Sequence, residues 1–479
     1  MEFTELVDYP STPGVLTEWL PVPADPDGTG TENWFADPRP SSFVQAARLR
    51  EAADHTGPGK ESWLGTAFEI SGRLDEAAFE RTLKVWIDRH EALRSHAAVN
   101  RDSGTLTRQT LDEGQVAVRS LCHGHVASAA EVLDRVQSLF DRATSPLSWP
   151  AYAFATVAAP DERSFTVYFA ADHAIIDGLT IVLISNAIAA LYREQRGGQQ
   201  AGLIPVGSYL DYGVREREDA ADLGDDDPVV RAWRHALDRN DGHLPRFPLE
   251  LGDRPAEAVP QGSLSTWVLD PDSADAFGVA CRKVGHSFFA GALACLGLVG
   301  AELTDADRFE TVTPMHTRHD PYAASSVGWY VGVGPIGFDV RGARSFTELA
   351  GRAAEQVTAA KVCSRVPFDR VCEVLGRGAR PRFVVSYMDI RFAPSASRWR
   401  EWKARALRSK QYSHDVYIWI NRTPEGVNIA ARYPDTDIAT DNVNRYLDRL
   451  RTLMEEVVRT GSCRVGEPSE SRSKVITAQ

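Results

Sequence analysis

The 479-residue chain is poor in several features, and each shortage removes a class of protein. It has only 6 cysteines: Cys122, Cys281, Cys295, Cys363, Cys372 and Cys463. None forms a Cys-x-x-Cys pair, and most sit in apolar or helical surroundings, so reduced, mostly buried thiols are expected rather than a disulfide framework. There is no excess of positive charge. With 53 Lys and Arg against 66 Asp and Glu, the net charge of −13 disfavours nucleic acid as a general partner and loose adsorption to anionic membranes. No apolar run is long enough to span a bilayer; residues 290–300 are apolar but short and read as a core helix. The opening Met1-Glu-Phe-Thr-Glu5 has neither a basic stretch nor an apolar core, so no secretory signal and a cytoplasmic location are expected. No short-period repeat appears, which disfavours a solenoid. What remains is the balance of an ordinary globular protein, 43% hydrophobic and 25% charged, long enough for two or more domains with full cores.

The most informative stretch is Ser164-Phe-Thr-Val-Tyr-Phe-Ala-Ala-Asp-His-Ala-Ile-Ile-Asp-Gly178. It reads as an apolar strand that stops abruptly in a polar loop, followed by a helix over 179–192 that is apolar on nearly all sides. A strand fixes the backbone of His173 while the loop exposes its ring, a setting suited to a general base. His-x-x-x-Asp-Gly fixes only three positions, so a core histidine is the competing reading until more of the chain is considered.

The rest of the chain divides near a charge-dense run at 216–227, which reads as a solvated helix end or linker. Residues 1–40 read as an irregular, Pro- and Gly-rich lead-in. Helices are expected at 43–50 (ended by Gly57-Pro58-Gly59), 74–90 and 130–143, with strands at 63–71, 115–120 and 152–157. In the second half, helices are expected at 229–237, 274–284, 287–301, 346–364 and 441–459. Strands are expected at 263–269, 309–314, 328–340 and 382–389, with a hairpin at 416–421 and 427–433. The last dozen residues read as frayed. Strands and helices mix without a regular βαβ rhythm, which indicates α+β layering in two parts, 1–222 and 223–479.

Read in order, these segments resemble the condensation-domain superfamily that includes chloramphenicol acetyltransferase. Gly72-Arg-Leu-Asp-Glu-Ala-Ala-Phe79 with Arg89-His-Glu-Ala-Leu-Arg94 is similar to that family's early helix motif, and Asp172-His-Ala-Ile-Ile-Asp-Gly178 to its His-His-x-x-x-Asp-Gly motif. Tyr209-Leu-Asp-Tyr212, Trp233 and Leu251-Gly-Asp-Arg-Pro255 resemble its crossing stretch, Val312-Thr-Pro-Met-His-Thr-Arg318 its strand ending in arginine, and Val327-Gly-Trp-Tyr-Val-Gly-Val-Gly-Pro335 its glycine-aromatic motif. Ser42-Phe-Val-Gln45, Val385-Ser-Tyr-Met-Asp-Ile-Arg391 and His414-Asp-Val-Tyr-Ile-Trp-Ile-Asn-Arg422 place the likeness nearest the stand-alone polyketide-associated acyltransferases of actinobacteria. The chain departs from the pattern at Asp172, where the family has its first histidine, and it lacks the Asp-Phe-Gly-Trp-Gly motif of the plant branch.

The resemblance implies an α+β fold of two chloramphenicol acetyltransferase-like halves set as a V around a central tunnel, with His173 midway. It implies acyl transfer from a coenzyme A or phosphopantetheinyl carrier thioester to a hydroxyl or amine, in lipid or natural-product biosynthesis, with no intrinsic cofactor and no metal. A carrier protein or polyketide synthase is the implied macromolecular partner, and a monomer is expected. The residues alone make Asp177 the orienter of His173; the resemblance instead pairs Asp177 with Arg318, a clasp between the halves. Gly178 would give the chain room to turn and offer an oxyanion-binding N–H. Asp172, Trp329, Tyr330 and Ser386 are the candidates for lining the tunnel.

His316 and His414 are alternative bases without the strand–loop–helix setting, and His123 with His125 forms a His-x-His pair with no acidic residue close in sequence. The basic run from Arg398 to Lys410 is either a solvated segment or a contact for a phosphopantetheine arm, a coenzyme A phosphate or an acidic carrier. Two other functions compete with acyl transfer to a small acceptor: a stand-alone peptide condensation enzyme and a non-catalytic carrier-docking scaffold. Only Asp172 encourages the last, and the presence of His173, Asp177, Gly178 and Arg318 opposes it.

Overall fold

The structure, a computed structural model, describes residues 1–25, 33–54, 62–100, 102–253 and 259–463. Its centre is the pairing of two apolar strands, Trp63–Ser71 and Ser164–Asp172, antiparallel from Trp63 opposite Asp172 to Ser71 opposite Ser164. Both faces of the second strand are covered. Phe165, Val167, Phe169 and Ala171 pack into one core cluster, and Tyr168 and Ala170 into another. That is why its sequence is apolar without a break from Val167 to Ala171 instead of alternating. Five more strands complete this sheet, in the spatial order Glu2–Glu5, Arg405–Arg408, Trp63–Ser71, Ser164–Asp172, Tyr152–Ala158, Gly14–Pro23, Val116–Val126.

Helix Glu76–Arg89 packs its apolar face on one side, with Asp75 accepting the Ala78 N–H at 2.9 Å as its N-cap. Helix Ala129–Ala143 covers the other side. A second sheet has the order Gln261–Leu269, Gly426–Pro434, Val416–Thr423, Phe383–Asp389, Arg308–His316, Val331–Asp339. Helices Pro271–Lys283, Phe288–Thr304, Phe346–Cys363 and Asp437–Thr460 bury their apolar residues against it. The result is a two-lobed α+β fold with a smaller three-stranded sheet, Phe35–Asp37, Leu106–Thr110 and Ser95–Val99.

Several expectations need correction. The lead-in is not irregular: Gly14–Pro23 is an interior strand of the first sheet, with Trp19 buried. Pro21 and Pro23 are tolerated because only Val15–Trp19 pair with Tyr152–Ala158, which leaves the prolines bonded on one side. The charge-dense run is not wholly solvated either. Glu216 turns inward, accepting the Phe43 N–H at 2.7 Å and the Tyr212 hydroxyl at 3.0 Å.

The basic run enters the first lobe as strand Arg405–Arg408, with Trp399, Ala404, Ala406 and Leu407 buried. Two of its cations pair with acids of the sheet, Lys403 with Glu69 at 2.6 Å and Arg405 with Glu2 at 3.2 Å. Strands Ser95–Val99 and Leu106–Thr110 and helix Phe368–Leu375 lie where no element was expected. Gly57-Pro58-Gly59, Arg254, Pro255 and the last dozen residues fall outside the described residues.

The six cysteines are free. Among the described residues no single helix is long and apolar enough to cross a membrane. Pro271–Lys283 and Phe288–Thr304 meet that criterion only together, across a 94° bend.

Candidate active site

Strand Ser164–Asp172 ends against a neighbour that holds the next residue in place: the His173 N–H donates to the Ser62 carbonyl at 2.8 Å. The loop then folds back before helix Gly178–Gln195, so the His173 ring meets its own backbone. His173 Nδ1 lies 2.8 Å from the Ile176 carbonyl oxygen. A carbonyl can only accept, so Nδ1 carries the proton and Nε2 carries the lone pair. One face of the ring rests on Trp329, with centroids 4.0 Å apart and planes 32° from parallel. Burial holds the imidazolium below the usual histidine range, so the ring is neutral at neutral pH. Together these give a neutral imidazole with a fixed tautomer and one basic nitrogen.

Asp177 does not touch that ring among the contacts of the loop. It caps the helix, accepting the Thr180 N–H and hydroxyl, both at 2.8 Å. Its carboxylate receives Arg318 Nη2 at 2.9 and 2.8 Å and the Tyr330 N–H at 3.2 Å. Arg318 also donates to the carbonyls of Ala323 at 2.5 Å and Ser326 at 2.7 Å, and lies 4.3 Å from the Tyr330 ring centre. Both charged groups are buried.

Asp172, fully buried, has a partner that sequence reading missed. Arg48, on helix Phe43–Asp54, donates from Nη2 at 2.9 Å and from Nε at 3.4 Å. The carboxylate also accepts the Ala174 N–H at 2.8 Å. Burial raises this carboxyl, against the charge and hydrogen bonds of Arg48. No sequence spacing links residue 48 to 172, so only the fold could reveal the pair.

Trp329 is also part of the wall of a cavity of about 970 Å³, together with Arg48, Tyr212, Glu216 and Phe368. Of the candidates for tunnel lining, only Trp329 belongs to this wall. Tyr330 is buried against Tyr209 and Tyr212, where its hydroxyl reaches Ser326 at 3.1 Å. Asp172 is enclosed by Arg48. Ser386 is buried on strand Phe383–Asp389, paired in register with Trp419.

Gly178 is the first residue of its helix, where backbone N–H groups have no partner within the helix. It is not in the left-handed region, and an added Cβ would meet Met388 Sδ at 3.6 Å, ordinary contact. Turn geometry is therefore not what asks for glycine there. His316 ends its strand exposed, its ring 6.3 Å from that of His319, and His414 precedes strand Val416–Thr423. His123 finds its acid across the sheet, Nε2 lying 3.0 Å from Glu18.

The two-lobed α+β architecture is that of the condensation-domain class of proteins. The chain belongs to the condensation-domain family, whose model matches residues 52–474. It is 26% identical over 470 residues to acyltransferase PapA3 of Mycobacterium tuberculosis, covering 94% of this chain and 98% of that one. It is 30% identical over 427 residues to trehalose-2-sulfate acyltransferase PapA2 of Mycobacterium bovis, covering 86% and 88%. A solved PapA2 acyl transferase superposes with a TM-score of 0.85 at 26% identity, covering 96% of this chain and all of that one. The first condensation domain of the calcium-dependent antibiotic synthetase shares the fold, with a TM-score of 0.67 at 19% identity, covering 89% and 98%. The protein is an acyltransferase of the polyketide-associated kind.

Proposed function

We propose that the protein transfers a fatty or polyketide acyl group from a coenzyme A or carrier-protein thioester to an acceptor hydroxyl, or an amine, in lipid or natural-product biosynthesis. The observation that carries this reading is the Nδ1 contact with Ile176, which leaves Nε2 of a neutral His173 as the available base. Nε2 takes the acceptor proton as the acceptor oxygen bonds to the thioester carbonyl carbon. The Gly178 N–H steadies the oxyanion. The carbon–sulfur bond then breaks, and the proton passes from Nε2 to the leaving thiolate. Proton transfer of this kind contributes about 10²–10⁴-fold, and alignment of two substrates can add more.

Trp329 shields one face of the base and shapes the cavity that receives a substrate. The two parts, 1–222 and 223–479, act as lobes held in register by Asp177 and Arg318, with Arg405–Arg408 lent by the second to the first. No intrinsic cofactor is required. The reaction runs in the cytoplasm on a monomer, with an acyl carrier or polyketide synthase as the macromolecular partner where coenzyme A is not the donor. The names of the relatives, a trehalose-2-sulfate acyltransferase and a 2'-acyl-2-O-sulfo-trehalose (hydroxy)phthioceranyltransferase, favour a hydroxyl acceptor over an amine.

The test offers the purified protein a panel of acyl-coenzyme A and acyl-carrier thioesters with alcohols and amines and follows free thiol. His173→Ala should remove acceptor-dependent release while the melting temperature stays near the wild-type value. Full activity in that variant would rule out His173 as the base.

A further inference from the structure

Arg408 and Arg318 are both buried arginines, and the contrast between them is informative. Arg318 is surrounded by a carboxylate and backbone carbonyls. Arg408 is 5% exposed, yet its Nε, Nη1 and Nη2 have no hydrogen-bond acceptor among the described residues. Its guanidinium lies 4.6 Å from the ring centre of Trp419 on the second sheet. Arg432, 7% exposed, stands nearby; its Nη2 donates to the carbonyl of Ser409, and its Nε has no acceptor.

The carboxylates whose charge reaches Arg408 are Glu5 and Asp8, and neither bonds to it; Asp8 accepts the Thr4 hydroxyl at 3.1 Å. Burial and the like charge of Arg432 both oppose the charged form of Arg408. A guanidinium stays charged in proteins, so its buried donors are costly until an acceptor meets them.

The location gives this a functional meaning. Arg408 pairs with Leu64, and Leu64 with Ala171, two residues before His173. Adjacent strands lie about 4.8 Å apart, so Arg408 is roughly 10 Å across the sheet from the end of the strand that delivers the base. Leu407 packs on the opposite face, whereas Ala406, Ala171 and Trp419 share the face toward the second lobe, and alternation puts the Arg408 side chain there.

We propose that Arg408 and Arg432, backed by Trp419, form a buried subsite for an anionic oxygen group, a phosphate, sulfate or carboxylate, carried by one of the two substrates. An anion between the two guanidiniums satisfies the donors and removes their mutual repulsion. The assignment rests on the transferase reading for which molecule brings the anion, but not for the existence of the site.

The experiment is calorimetric binding to the full chain without turnover. Coenzyme A is compared with pantetheine, which lacks the phosphates, and a sulfated disaccharide with its unsulfated form. In the wild type, at least one anionic member should bind about tenfold or more tightly than its neutral counterpart. Which pair shows the preference assigns the source, donor or acceptor. Arg408→Met should erase the preference and leave the neutral member unchanged; Arg408→Lys should keep part of it. If Arg408→Met fails to fold, Arg432→Met is read the same way.

Equal binding of both pairs by the wild type, or an undiminished preference in the folded Met variant, would overturn the proposal. Absence of thiol release with every donor and acceptor would defeat the transferase reading and leave the anion preference standing.

Discussion

Asp172 and Asp177 stand on either side of one histidine, both buried, both bonded to an arginine. Asp172 draws Arg48 from a helix of the same lobe. Asp177 draws Arg318 from the other lobe, caps a helix and bonds the Tyr330 N–H besides. The Ile176 carbonyl, rather than either acid, sets the tautomer of His173. A carboxylate close to a histidine in sequence is thus no guide to what orients it; here the two acids fix the ends of the loop and the backbone fixes the ring.

This comparison can be broken one side at a time. Arg318→Ala leaves Asp177 buried between lobes without its counter-charge and also removes the arginine's bonds to the Ala323 and Ser326 carbonyls, and urea unfolding should show a loss of roughly 3–5 kcal/mol. Replacing both partners with apolar residues of similar size, Asp177→Leu with Arg318→Met, should recover part of that loss; a double variant no better than the single one would count against the pair as the cause.

Arg48→Met removes the counter-charge of a carboxyl that burial already raises, so Asp172 can take up a proton and a smaller loss, about 1–3 kcal/mol, is expected by the same measurement. Acyl transfer by that variant should stay within about tenfold of wild type, because the Ile176 contact is untouched.

His90 sharpens the view of the lobe interface. It is fully buried, accepts the Val327 N–H at 3.3 Å, and is depressed to about 3 by burial and by the charges of Arg89 and Arg318. The unfolded chain takes up a proton near pH 6.5 that the folded chain refuses, so stability falls as pH drops below that value. Between pH 7 and pH 5 this single group should cost about 2 kcal/mol, and His90→Gln should lose correspondingly less over the same range. Parallel pH curves for the two proteins would exclude the effect.

The smallest effect concerns rate. With His173 lowered by burial, the acid limb of kcat/KM should fall below the ordinary imidazole range, and activity should drop only as pH descends through it. Because the charge of Arg48 contributes, after burial, to that lowering, Arg48→Met should move the limb upward.

Much of the fold was legible where burial leaves a strand an apolar run, as in Ser164–Asp172, or a partial alternation, as in Trp63–Ser71. It was illegible where sequence and surroundings disagree. Gly14–Pro23 carries prolines and the buried Glu18, tolerable only because Arg142 and, 3.0 Å away, His123 meet that acid from neighbouring elements. Arg405–Arg408 is short and basic, and becomes a strand because Glu2–Glu5 and Trp63–Ser71 bond it on both sides.

At the site, His173 and Asp177 could be read because strand, loop and helix are contiguous. Arg318 came only through likeness to a family. Arg48, Ile176 as the tautomer lock, and the inward turn of Glu216 depend on contacts between distant segments or on backbone geometry, which no local pattern encodes.

The most direct test of the central claim is the nitrogen-15 NMR signature of the His173 imidazole followed against pH, assigned by comparison with His173→Gln. The account requires a neutral ring protonated at Nδ1 and bare at Nε2 at neutral pH, with protonation beginning only below the usual histidine range. A ring protonated at Nε2, or an imidazolium already present at neutral pH, would contradict it.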